Sequence, residues 1–342
     1  MDPDAVNGGE RVPHGGEPES SVLDFSANIN PNVPDGVDRV YADALASARR
    51  YPNDEYPDFR DAAATYIDCR RSDVVATPGG LAAIRLALEC VLEPGDEVLV
   101  PYPSFGEYAR EVRLQGGLPT FVPQAEMGSL GSALLEGVTA VVVCRPNNPT
   151  GDLLPRSDLE ALLERCVDTE TTLLVDEAFL GFTDEPSLAT KGVDRLVVAR
   201  SLTKLFGLPG LRAGFAVSSG SLGEAMETAR RTWNVSTPAA AVGAHCMRDR
   251  EFVERTRDEI ASERARMRRE LADAAQYTVS PSSAPFLLLD VDGSVDALLE
   301  RARGAGIAIR DARPFRGLDS HVRIAIKNRS ANDRLLEVLT DG

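Results

Sequence analysis

Lysine is almost missing from this chain. It occurs only at Lys191, Lys204 and Lys327, and arginine supplies nearly all the positive charge. A lysine kept in such a composition points to work that a guanidinium cannot do, because an amine in a suitable site deprotonates and forms a Schiff base whereas arginine stays charged. Cysteine is scarce too. The five (Cys69, Cys90, Cys144, Cys166 and Cys246) are widely spaced with no Cys-x-x-Cys pair, which argues against a disulfide framework or a zinc site, so no metal is expected. No apolar run approaches the roughly 18 to 20 residues needed to span a bilayer, and the opening Met1-Asp-Pro-Asp4 lacks the basic and apolar regions of a signal peptide. The expectation is a soluble cytoplasmic protein with no membrane partner. An excess of basic charge is also lacking. At a net charge of -16 there is no basic face for a phosphate backbone, which argues against nucleic-acid binding. The acids are spread along the chain rather than blocked, as in a solubilising surface of the halophilic type.

What is present is regular. A length of 342 residues suits a large domain with a smaller companion. Residues 1–38 are rich in Gly, Pro, Asn and Ser and read as an arm with at most one strand, around Val22-Leu-Asp-Phe25, packing on the small domain. From there to about residue 245 the pattern is that of a large α/β domain. Val74 to Thr77 leads through Pro78-Gly79-Gly80 into the helical run Leu81 to Val91. Apolar β-branched runs follow at Asp96–Pro101, Pro119–Val122, Val138–Cys144, Thr171–Asp176 and Arg195–Ala199. Strands apolar on both faces belong in a covered, mostly parallel sheet. Polar residues follow these runs at the C-terminal ends, where open α/β sheets place ligands. Charged residues at helical spacing run from about Leu222 to Ala275, and residues 246–342 finish as a small α+β domain.

Several strand ends carry groups suited to one kind of ligand. Lys204 offers an amine, Asp176 a carboxylate, Asn148 an amide, and Ser201 and Arg212 are suited to a phosphate. An aldehyde with a ring nitrogen and a phosphate would use all of them, since a carboxylate against a pyridine nitrogen keeps the ring protonated and electron-withdrawing. Gly79-Gly80 at a helix start offers backbone N–H groups to an anion, although a glycine pair also simply ends a strand. Asp24 and Glu177 suggest no role.

Pro146-Asn-Asn-Pro-Thr-Gly151, then Asp176-Glu-Ala-Phe179, then Ser201-Leu-Thr-Lys204 with Arg212 eight residues on, in this order and spacing, resemble the fold type I pyridoxal-phosphate enzymes over nearly the whole chain. The resemblance implies that architecture, a large domain with a mostly parallel central sheet plus a small α+β domain, and pyridoxal 5'-phosphate as cofactor. It implies that Lys204 holds the cofactor and shuttles protons, that Asp176 pairs with the ring nitrogen, and that Asn148 bonds the ring hydroxyl. Gly80, Leu81, Ser201 and Arg212 would cradle the phosphate, and Phe105 or Tyr108 would stack on the ring. Tyr51 matches a tyrosine that reaches the neighbouring subunit's phosphate, which implies a homodimer with shared active sites.

Within that group the resemblance leans to the threonine-phosphate decarboxylases, with the histidinol-phosphate aminotransferases as the alternative. His14-Gly-Gly16 followed by Leu23-Asp-Phe-Ser-Ala-Asn-Ile-Asn-Pro31 favours the decarboxylases, as do Phe179, where aminotransferases usually carry tyrosine, and Ser201-Leu-Thr203. Leu205-Phe-Gly-Leu208 sits comfortably with the aminotransferases, and Thr77-Pro78 departs from the Gly-Asn that often stands there. The implied substrate is a small phosphorylated amino acid, gripped by Arg310 and Arg323 with His14, Gly15, Asn28 and Asn148 nearby. Without the resemblance, an arginine inside Val322-Arg-Ile-Ala-Ile326 reads as pointing to solvent from a strand's polar face. A non-enzymatic ligand sensor is disfavoured, because the arm before Asp38 is too short and too acidic to be a DNA-binding segment, and a catalytically dead relative is disfavoured because Lys204 and Asp176 are both present.

Overall fold

The computed structural model describes residues 1–340. Its centre is a seven-stranded sheet built from β2 (Val74–Thr77), β3 (Glu97–Tyr102), β4 (Leu118–Pro123), β5 (Ala140–Cys144), β6 (Thr172–Asp176), β7 (Leu196–Ser201) and β8 (Gly214–Ser218), in the order β2-β8-β7-β6-β5-β3-β4. β5, β6 and β8 are buried along their whole length, because each is apolar on both faces and both faces are covered. On one face Val143, Val175 and Val198 join the larger apolar cluster. On the other, Val142, Leu174 and Ala199 pack with Ile84 and Leu88 of the Gly80–Val91 helix and with Tyr108 and Val112 of the Glu107–Leu114 helix. The expectation of a mostly parallel sheet holds. β3, β4, β5, β6 and β7 are paired in parallel, and β8 is antiparallel to both β2 and β7.

This topology gathers chain ends at one edge. β2, β5, β6 and β7 all finish there and β8 begins there with Gly214, so the segments at Gly79, Asn148, Asp176, Ser201 and Arg212 arrive together. Gly214, at the start of β8 between β2 and β7, is so closely flanked that a Cβ on it would lie 2.6 Å from the Arg200 carbonyl oxygen and 2.8 Å from Gly79 Cα. Backbone on both sides cannot yield as a side chain would. Gly214→Ala is therefore expected to destabilise the protein by about 2–4 kcal/mol, read as a lowered midpoint in urea denaturation.

A second sheet, antiparallel, takes the order β12-β13-β10-β9, from β9 (Tyr277–Val279), β10 (Phe286–Val291), β12 (Arg310–Asp311) and β13 (His321–Ala325). The helices Val295–Gly304 and Arg329–Thr340 accompany it. The N-terminal arm contributes β1 (Leu23–Asp24), which pairs in parallel with β11 (Ile307–Ala308), and Ala325 N donates to the Phe25 carbonyl at 2.9 Å. Among the described residues no helix is long and apolar enough to cross a membrane.

Two details differ from the sequence reading. The arm carries a helix, Pro3–Gly8, because Asp2 accepts hydrogen bonds from the backbone of Asp4 and Ala5 and caps it. The charged region after Leu222 forms three helices, Gly220–Ala229, Thr237–Arg248 and Arg250–Ala272. The break after the first holds Trp233 at φ +56°, with Arg230 bound to the Asp54 carboxylate.

Candidate active site

The gathered strand ends open into a cavity of ≈ 350 Å³. Lys204, Asp176, Asn148, Ser201, Arg212, Gly80, Leu81 and Phe105 line it, and so do His14, Gly15, Asn28, Arg310 and Arg323. Tyr51 is the one expected site residue outside it. It is 75% exposed and stacks on Trp233 with ring centroids 3.9 Å apart. Among the described residues no cluster of three His, Cys, Asp or Glu side chains is placed to hold a metal ion.

Lys204 sits in the turn after β7, which is held from beneath by the arm. Asn30 N donates to the Lys204 carbonyl at 3.1 Å, and Asn30 Nδ2 to the Leu205 carbonyl at 2.7 Å. Burial, reinforced by the nearby guanidinium groups of Arg323 and Arg212, pulls the Lys204 amine down to about 8. Desolvation and like charge both disfavour the ammonium form, so a useful fraction is neutral near physiological pH.

Asp176 ends β6 and is 6% exposed. Its Oδ2 accepts from the Tyr108 hydroxyl at 2.7 Å and its Oδ1 from Ala178 N at 3.0 Å. Burial pushes its carboxyl up, opposed chiefly by the Tyr108 hydrogen bond. The same burial, together with the Asp176 charge, raises the Tyr108 phenol. A desolvated carboxylate held by two neutral donors is poised for a cationic N–H. Tyr108 is thus engaged with Asp176, while Phe105 meets it edge-on at 5.5 Å and reaches His14 at 5.7 Å.

Across the cavity, the Gly80–Val91 helix starts at Gly79 with no side-chain cap, so its first N–H groups are free for an anion. Arg212 Nη2 reaches the Pro78 carbonyl at 3.4 Å, and the Ser201 and Thr203 hydroxyls are 2.8 Å apart. The glycine pair at this helix start thus lies beside Ser201 and Arg212 in the cavity, an arrangement that could cradle an anion. Together with the buried Asp176 and the depressed Lys204, the cradle fits pyridoxal phosphate by the chemistry of its donors.

The remaining wall is cationic. Arg310 and Arg323 are direct cross-strand partners in the β12–β13 pair. Arg323 is buried, 5.2 Å from the Phe286 ring centroid and 5.8 Å from that of Phe315, so it does not face solvent. Its Nη2 donates to the Ser26 carbonyl at 3.0 Å and its Nη1 to Asn148 Oδ1, while its Nε has no partner. Burial and the Arg310 charge push its cation down from its ordinary range, a penalty that a bound anion relieves. Asn28 Oδ1, also buried, is unpartnered as well. Arg310 Nη2 donates to the Pro13 carbonyl at 2.6 Å, and His14 Nε2 lies 2.8 Å from Glu107 Oε1, which fastens the arm across the cavity mouth. Phe315 and Glu107 were not legible as site residues. The only available signal for Phe315 was an aromatic lying between the two arginines in sequence.

A mostly parallel sheet whose strand ends bring together a half-buried amine of lowered pKa, a buried carboxylate and an uncapped helix start is the arrangement of the fold type I pyridoxal-phosphate enzymes. The chain matches the family model described as aminotransferase class I and II over residues 20–339, and it belongs to that family, which is dependent on pyridoxal phosphate. It is 34% identical over 331 residues to threonine-phosphate decarboxylase of Salmonella typhimurium, covering 93% of this chain and 90% of that one. It is 30% identical over 329 residues to histidinol-phosphate aminotransferase 2 of Archaeoglobus fulgidus, covering 95% and 94%. Among solved structures, histidinol-phosphate aminotransferase from Clostridium acetobutylicum superposes with a TM-score of 0.86 at 26% identity, covering 94% of this chain and 98% of that one.

Proposed function

We propose that the chain decarboxylates L-threonine O-3-phosphate to (R)-1-amino-2-propanol O-2-phosphate, a step of cobalamin biosynthesis. The observation that carries this reading is the cationic wall. With Arg212 committed to the cofactor cradle, Arg310, Arg323 and His14 still line the same cavity, which suits a substrate with both a carboxylate and a phosphate. A substrate with one anion would leave a buried guanidinium without a counter-charge. Phe179 supports the reading. It is buried edge-on to Phe286 at 5.2 Å and has no hydroxyl to offer where aminotransferases usually carry tyrosine.

When bound, pyridoxal phosphate supplies a protonated ring that withdraws electrons from the substrate's α-carbon. Asp176 holds the charge that keeps the ring nitrogen protonated, and Asn148 offers its amide to the ring hydroxyl. Arg323 and Arg310 fork onto the two anions and so fix which bond at the α-carbon is set to break. Lys204, with its amine near 8, returns a proton to that carbon, since an acid–base group works best when its pKa is near the operating pH. The arm, residues 1–38, closes the substrate side. The large domain (39–245) carries the cofactor residues, and the small domain (246–342) carries Arg310 and Arg323. A homodimer would bring Tyr51, exposed here, to the partner's cofactor phosphate.

The second reading is histidinol-phosphate aminotransferase, favoured by relatives of that name at comparable identity. A paired assay separates the two. Purified protein with cofactor at high salt is given threonine phosphate and followed for carbon dioxide, then given histidinol phosphate with an amino acceptor and followed for glutamate. Carbon dioxide without transfer is the expected result. Transfer without carbon dioxide would establish the aminotransferase instead.

A further inference from the structure

Successive residues of a strand face opposite sides of its sheet. At the ends of β6 and β7 this sends Asp176 and Ser201 into the cavity and turns Glu177 and Arg200 to the other face, behind Val175 and Val198. There Arg200 Nη1 donates to Glu177 Oε2 at 3.0 Å, with side chains only 7% and 0% exposed. The same carboxylate accepts from Ser187 Oγ at 2.6 Å and from Leu188 N at 2.9 Å. The guanidinium lies 5.5 Å from the Tyr66 ring centroid. Glu177 N also donates to the Ala199 carbonyl at 2.9 Å. The strand that carries Asp176 and the strand that runs into Lys204 are thus cross-linked by a charged pair on the sheet's far face, where it does not line the cavity.

A buried ion pair is a poor device for stability alone, because packed apolar side chains of similar volume serve as well or better. This one stands immediately behind the cofactor residues, and its charges reach them. The Glu177 carboxylate raises the Asp176 carboxyl and Arg200 lowers it, after the larger influences of burial and the Tyr108 hydrogen bond.

We propose that Glu177 and Arg200 are positioning residues of the cofactor site, holding Asp176 in register with the Ser201–Lys204 turn and balancing the charge behind it. The proposal rests on the family's cofactor and is the same for either reaction, so it survives if the substrate assignment fails. The ionisable and charged groups on the cavity side are Tyr108, Cys144 and Lys204 around Asp176, with Arg323 and Arg212 acting on Lys204. Behind it stand the pair itself, Tyr66, whose ring lies against the Arg200 guanidinium, and Cys69, whose thiol burial pushes up to about 12. None of these but the pair changes charge in the variants that follow.

The test uses three variants of the full chain, each stripped of cofactor and titrated with pyridoxal phosphate, and each followed for the pH midpoint of the bound cofactor's visible absorbance. Glu177→Gln keeps the shape and leaves Arg200 uncompensated behind a cationic ring nitrogen. It is expected to bind cofactor about ten-fold more weakly, with the midpoint lowered by about half a pH unit. Arg200→Lys, which retains the charge, is expected to stay within about three-fold in affinity. The double variant Glu177→Leu/Arg200→Met is expected to melt at or above the wild-type temperature and still to bind cofactor weakly. Wild-type affinity and midpoint in Glu177→Gln, or full recovery of cofactor affinity in the double variant, would show a fold element only and overturn the proposal. If Glu177→Gln does not fold, the double variant decides.

Discussion

Lys204→Ala is expected to yield a folded protein with no visible cofactor absorbance and with activity reduced by about 10³-fold or more. The side chain is half-buried and forms no ion pair with a described residue, so its loss leaves no salt-bridge partner stranded. The turn is held by the main chain, through Asn30 N on the Lys204 carbonyl and Asn30 Nδ2 on the Leu205 carbonyl. The cradle at Gly80, Ser201 and Arg212 remains, so phosphate-dependent binding of the cofactor should persist as a weaker, non-covalent complex that lacks that visible band. Lys204→Arg is expected to be as inactive as the alanine variant, because a guanidinium brings charge without a nucleophilic amine. In the wild type, cofactor capture by the apo protein requires the neutral amine. The neutral fraction rises as pH rises through the pKa, so the capture rate should climb with pH and level off above about 8, well below the ordinary lysine range. Retained visible absorbance in Lys204→Ala would mean that the wrong lysine has been assigned.

The strands of the central sheet were legible because they announce themselves locally. Val141-Val-Val143 and Leu173-Leu-Val175 are apolar on both faces, and a parallel sheet buries both. Lys204, Asp176 and Ser201 converge on one cavity for the same reason, since they lie at or just after strand ends that topology brings to one edge. What escaped notice depends on contacts remote in sequence. Glu177 has no evident role until Arg200, 23 residues on, is placed against it. Tyr108 competes with Phe105 as a stacking ring until its hydroxyl is found on Asp176, 68 residues away. Glu107 becomes a site residue only when the arm delivers His14 from 93 residues upstream. The Pro3–Gly8 helix was hidden by a composition typical of loops. It is fixed by its cap at Asp2, whose N–H also donates to the Leu114 carbonyl at 2.8 Å.

Arg323→Gln is expected to lower kcat/KM for the substrate by about 10²–10³-fold, the scale on which truncating one partner of a buried charge pair acts. The Arg323 guanidinium is buried, has no carboxylate partner, spends two nitrogens on the Ser26 carbonyl and Asn148, and leaves Nε unpartnered. Such a cation is unfavourable in the apo protein and favourable once an anion arrives. The variant's melting temperature should therefore hold or rise even as activity falls, the trade expected of a strained functional residue. Arg323→Lys should restore little, because a point charge cannot reproduce the fork that fits a carboxylate. The substitution also acts on Lys204. Arg323 is the foremost of the charges lowering that amine, so its removal should move the pH at which cofactor capture levels off upward from about 8. A structural role for Arg323 would lower stability and leave that pH unchanged. A kcat/KM within about three-fold of wild type would remove the arginine from the substrate site.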